Sequence, residues 1–104
     1  MRRAQPRTLT YAIEVARAEA EPATLLAAVQ SAWAEAVGPR IAAEARPLRE
    51  RAGTVTVGCR AATWAQELDL LQTELIARLN EELGSPRVGG LRFVIDDELV
   101  RDTL

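Results

Sequence analysis

The stretch from Thr54 to Asn80 changes its period part-way along, and that change constrains the rest of the chain most. Val55, Val57 and Cys59 alternate with Thr54, Thr56 and Gly58, the period of two of a half-buried strand. From Trp64 onward the apolar residues recur at helical steps instead. Trp64, Leu68, Leu71, Leu75 and Leu79 share one face, and Leu70, Ile76 and Leu83 widen it. The pattern predicts a strand feeding one long amphipathic helix over 62–82. No other part of the chain offers so continuous an apolar surface, so the remaining elements are expected to pack on it.

Those elements follow from local signals. Residues 1–8 are basic and lack apolar periodicity, and read as a flexible arm. Leu9 to Ala20 is compatible with a helix. Glu21-Pro22 breaks it, and Pro22 suits the first turn of a second helix reaching Val37. Leu25, Leu26, Val29, Trp33 and Val37 form the stripe of that helix, with Trp33 as its core anchor. Gly38 and Pro39 stop it, and Ile41 to Ala45 allows one further turn. Residues 45–50 form an edge-strand candidate, because Pro47 has no N–H for a ladder; Leu48 is expected to face inward. After the turn at 51–53 the strand 54–59 returns antiparallel. Residues 91–95 make the last strand, with Leu91, Phe93 and Ile95 inward and Arg92 outward. Residues 97–104 read as an acidic tail, open to a short helix or frayed coil.

The predicted order is helix, helix, strand, strand, helix, strand. Three short strands cannot close a barrel, so the expected class is α+β: two layers, with the helices on one face of a small sheet. A chain of 104 residues makes one domain, here over 9–96, and can bury roughly two-thirds of its unfolded surface. The one cysteine, Cys59, allows no internal disulfide and reads as a small core residue in a reducing setting. The N-terminus lacks the apolar run of a secretory signal, and no stretch approaches the ~20 apolar residues of a membrane span.

Chemistry is bounded by absences. The chain has no histidine, which removes Ser-His and Cys-His nucleophile pairs and the usual neutral-pH base. It has no lysine: all 13 basic residues are arginine, so there is no P-loop lysine and no Schiff base. The carboxylate pairs Glu81-Glu82 and Asp96-Asp97 sit at a helix end and in a tail. The reading is a non-enzymatic binding protein with no cofactor and no metal. Charge is distributed unevenly. Nine arginines against six acids give residues 1–60 a net charge of +3, while four against nine give residues 61–104 a net charge of -5.

Two surfaces are candidates. Arg40, Arg46, Arg49, Arg51 and Arg60 cluster around the hairpin, with Arg92 on the last strand. Arg49, Arg60 and Arg92 are expected to share the solvent face of the sheet, where a phosphate backbone can be held without sequence preference. No aromatic platform accompanies them, so base stacking is not expected. The second surface is Trp64 with Gln66 and Glu67, at the start of the long helix, with Thr63 as a possible cap.

The residues also resemble a known family. W-x-x-x-V-G-x-x-I-A occurs at Trp33, Val37, Gly38, Ile41 and Ala42, followed by Pro47-Leu48-Arg49. Then come G-x-V-x-V (Gly53, Val55, Val57), W-A-Q-E-L (Trp64 to Leu68), L-x-x-x-L-N with a glycine (Leu75, Leu79, Asn80, Gly84), and L-R-F (Leu91 to Phe93). This pattern, over about residues 22–96, is similar to the DciA family. The resemblance implies a KH-like fold and a role in DNA replication. It implies ATP-independent loading of the DnaB-type replicative helicase, with both helicase and DNA as partners, and a cytoplasmic place at replication forks. On it, the six arginines are candidate DNA-binding residues, and Trp64, Gln66 and Glu67 candidate helicase-binding residues. Two departures stand out. The chain carries only about eight loose residues at each end, where many relatives have a long extension, and it lacks the G-x-x-G loop of KH domains that grip single strands. The alternatives are a KH-like RNA-binding module and a protein-only adaptor. The oligomeric state and any preference between single- and double-stranded DNA are left open.

Overall fold

A computed structural model describes residues 24–102. The helix expected over Leu9 to Ala20, the arm 1–8 and the start of the Pro22 helix lie outside the described residues. The first described helix, α1, spans Leu25–Val37. Thr24 starts it by accepting from Ala27 N–H at 3.0 Å. Gly38 ends it, and Pro39 opens the one-and-a-half-turn α2, Pro39–Glu44. The chain then enters β1, Ala45–Arg51, turns at Ala52-Gly53 and returns as β2, Thr54–Cys59. Both turn residues have positive φ, 51° and 86°, as a two-residue hairpin of the primed type requires. The Glu50 carboxylate accepts from Gly53 N–H at 2.8 Å.

Helices α3, Ala62–Leu70, and α4, Gln72–Leu83, lead back to β3, Gly90–Ile95. A short α5, Asp97–Asp102, follows. The sheet order is β1-β2-β3. β1 pairs antiparallel with β2, and β3 pairs parallel with β2. Cys59, Val57 and Val55 align with Ile95, Phe93 and Leu91, and this row packs under the helices except at its end, where Ile95 is exposed. Trp33, Val29, Leu68, Leu75 and Leu79 close the core against it. The molecule is an α+β domain of two layers, as expected.

The structure corrects four finer expectations. The helix over 62–82 is broken at Leu71, whose φ of -95° and ψ of 10° leave the helical region. Leu71 N–H bonds back to Leu68 at 3.1 Å, the tighter three-residue step common at helix ends. The break lets α3 follow β3 while α4 packs on α1. Its consequence is that Leu70 and Leu71 leave the apolar face and stand 85% and 44% exposed. Thr63 is not a cap, since α3 starts at Ala62 from Ala61 with no side-chain bond. Leu48 does not face the core. The register slips between Pro47 and Arg49, a bulge that puts Leu48 over Gly58 on the opposite face. A Cβ on Gly58 would come within 2.8 Å of Leu48 Cδ1 and 2.7 Å of Asp96 Cβ, so any larger residue here must push these neighbours aside. Finally, Ile95, expected inward, stands 46% exposed at the end of β3. Of the two forms left open for the acidic tail, residues 97–102 take the helix. Leu99 is buried, and Asp96 caps α5 through Glu98 N–H at 3.0 Å.

Candidate nucleic-acid and partner surface

The face of the sheet away from the core carries Arg46, Arg49 and Arg51 from β1, Thr54, Thr56 and Gly58 from β2, and Gly90, Arg92 and Val94 from β3. Register sorts them into rows. Arg49 lies opposite Thr56, and Thr56 opposite Arg92. Two exposed arginines therefore flank one threonine, with their Cα atoms about 10 Å apart across three strands. Arg51 occupies the next row, opposite Thr54. Among the described residues no carboxylate pairs with Arg49, Arg51 or Arg92.

The remaining arginines are engaged differently. Arg46 Nε donates to Asp96 at 2.7 Å, and its Nη2 to Glu98 at 2.9 Å. These bonds raise the guanidinium pKa above its ordinary value. The same Arg46 bond, ahead of any other cause, holds the Asp96 carboxyl below the usual carboxylate range although Asp96 is only 7% exposed. Arg60 donates to the carbonyls of Leu99 at 2.6 Å and Ala43 at 3.2 Å, and pairs with Glu44 at 3.4 Å. It ties the end of α2 to α5. Arg40 lies on α2, with its guanidinium 6.0 Å from the centroid of the Trp64 ring, within reach of a cation–π contact. The six sequence candidates thus divide into Arg49, Arg51 and Arg92 on the sheet, Arg46 and Arg60 in internal bonds, and Arg40 beside Trp64.

Trp64 is half-buried and packs against the core. Gln66 and Glu67 beside it are exposed. Gln66 also lines a shallow groove of about 360 Å³ between α3 and β3, with Ala65, Asp69, Leu91, Arg92 and Phe93. Gln72 supports this groove and has no warning in the sequence. Its Oε1 accepts from Leu91 N–H at 3.1 Å, and its Nε2 donates to Asp69 at 3.0 Å. Asn80 is similar: its amide brackets Val88, accepting from N–H at 2.9 Å and donating to C=O at 3.0 Å. Cys59 is fully buried, and burial pushes its thiol up to about 11 with a smaller contribution from Asp96, so it is no nucleophile.

The W-A-Q-E-L block, the strand before it and the terminal L-R-F all fall within the match to one family model, described as Dna[CI] antecedent, DciA, which covers residues 8–93. The chain belongs to the DciA family. DciA proteins are accessory proteins of DNA replication with a helicase-loading role, and the family is not known as one of enzymes. No curated protein matches the chain. The DciA match ends at Phe93, inside β3, so it spans the sheet and the groove beside it. Among the described residues no helix is long and apolar enough to cross a membrane.

Proposed function

We propose that this DciA-family chain binds DNA through the sheet row Arg49–Thr56–Arg92 and engages a DnaB-type replicative helicase through the surface around Trp64. The observation that supports the DNA half is the row itself: two exposed arginines in register across the sheet, with no carboxylate partner among the described residues. Such cations replace the counterions of a phosphate backbone and read no sequence. Arg51 extends the row. Arg46 and Arg60 act beneath it, fixing α5 and the sheet end rather than touching phosphate. The helicase half rests on family membership, with Trp64, Arg40, Gln66 and Glu67 as the contact. Loading then proceeds by preferential binding to one state of the hexamer, in the cytoplasm at the fork, with no nucleotide chemistry from this chain.

Arg49→Glu with Arg92→Glu tests the DNA surface. Fluorescence anisotropy on a labelled duplex across a salt series should show at least a tenfold loss of affinity. The salt slope should fall by about two phosphate contacts, near 0.9 each. Wild-type affinity in that variant removes the assignment. Competition by structured RNA at equal length separates DNA from RNA as the ligand. Light scattering on mixtures with the helicase, comparing wild type and a folded Trp64→Ala, tests the second half.

A further inference from the structure

The outer edge of β3 is built to receive another strand. In the ladder with β2, Gly90 N–H reaches Gly53 C=O and Asp96 N–H reaches Cys59 C=O. The even-numbered residues of β3 therefore turn inward, and Leu91, Phe93 and Ile95 turn their N–H and C=O groups away from the sheet. Leu91 N–H is satisfied by Gln72. Phe93 N–H and C=O and Ile95 N–H have no partner among the described residues.

A second, independent observation falls on the same edge. The large apolar side chains left exposed among the described residues are Leu70, Leu71 and Ile95. Ile95 lies at one end of the edge. Leu70 and Leu71 lie at the other, between Asp69, which lines the groove, and Gln72, which bonds Leu91. The groove between α3 and β3 runs along the stretch between them, past Leu91 and Phe93.

We infer that this edge binds an extended segment of a partner protein by strand addition, a segment with apolar residues at alternate positions and acidic residues between them. The alternation follows from the pleat. One side of an added strand meets Phe93, Ile95 and Ala65. The other side lies beside Arg92, which is exposed and has no carboxylate partner among the described residues, and an acidic side chain complements it. A second copy of this chain fits less well. Edge-to-edge pairing would bring two α3 helices together, and the outer side of α3 presents Thr63, Gln66 and Asp69 rather than a packing stripe. The pairing with Arg92 opposite Arg92 would also set like charges face to face.

The probe is an eight-residue peptide of alternating valine and glutamate, blocked at both ends, with a valine–lysine peptide as comparison. Amide spectra of the 15N-labelled full chain report binding residue by residue. The inference expects shifts and slowed hydrogen exchange at Phe93 and Ile95, with affinity at least tenfold weaker for the lysine peptide. Ile95→Pro removes an outward N–H together with the exposed Ile95 side chain, and should abolish the effect while the remaining spectrum stays native. If Ile95→Pro does not fold, Ile95→Asp serves instead and should weaken binding at least fivefold. Unchanged β3 amides at millimolar glutamate peptide overturn the inference. So do equal affinities for the two peptides, or a peptide-free dimer by sedimentation whose Phe93 and Ile95 amides are already protected.

Discussion

The two edges of the sheet are treated in opposite ways. At β1 every outward group up to the bulge has an occupant. Ala45 N–H bonds Ile41 C=O, Trp33 Nε1 donates to Ala45 C=O at 2.8 Å, and Gln30 donates to Pro47 C=O at 3.3 Å. Pro47 has no N–H, and the bulge at Leu48 bends the strand. These are the devices by which natural sheets block edge pairing. At β3, among the described residues, a single side chain, Gln72, covers a single N–H. An edge closed by core residues contributes to stability; an edge left open is available for binding. Substitutions near β1 should therefore damage the fold, and substitutions at the exposed end of β3, at Ile95, should leave it intact.

Four changes can break or sharpen that contrast. Trp33→Ala should have the largest effect, because Trp33 is 4% exposed and also guards Ala45. A loss of about 3–5 kcal/mol is expected in urea unfolding, with faster hydrogen exchange along β1. A loss under ~1 kcal/mol would show that β1 is not closed from the core. Gly58→Ala comes next, at about 1–3 kcal/mol, as Leu48 and Asp96 are forced off the central strand; thermal melting reads it.

Asp96→Asn keeps a capping side chain but removes the charge facing Arg46. Because Arg46 is 41% exposed, the expected cost at pH 7 is about 1.5 kcal/mol, at the low end for bonds to charged groups. The folded carboxyl is depressed, so its contribution is present above the ordinary carboxylate value near 3.9. It is lost as pH falls through the lower folded value. The variant should lack that part of the acid slope, which denaturation curves between pH 2 and 6 would reveal. Leu70→Gln should be the smallest change, within about 0.5 kcal/mol, since Leu70 is 85% exposed. A larger loss in melting would place Leu70 in the fold rather than on the β3 side.

The Leu70 prediction also marks where periodicity misleads. Trp64, Leu68, Leu75 and Leu79 do line the core, as their spacing implies. Leu71 has the same spacing and does not, because the backbone turns there to serve two different neighbours. Helical spacing describes a straight element, and nothing in Asp69-Leu70-Leu71-Gln72 announces a break. The arginines show a similar division. Arg49 joins Arg92 on one face only through the bulge at Leu48, which shifts the parity of β1, whereas that Arg92 itself faces outward is legible from strand parity. That Arg46 and Arg60 are engaged is not, because their partners Asp96, Glu98, Leu99 and Ala43 are brought to them by the crossover and by α5.

The sequence by itself determined the layer architecture, the strand Val55-Val57-Cys59, the anchor Trp33, the lack of histidine and lysine, and the family. Each of these depends on local period or on composition, which the chain carries without reference to distant residues. Tertiary structure alone decided the break at Leu71, the bulge under Leu48, which arginines remain unpaired, and which sheet edge is open. Each of those depends on groups far apart in the chain, such as Arg46 and Asp96 or Gln72 and Leu91, whose meeting is set by how the helices cross the sheet.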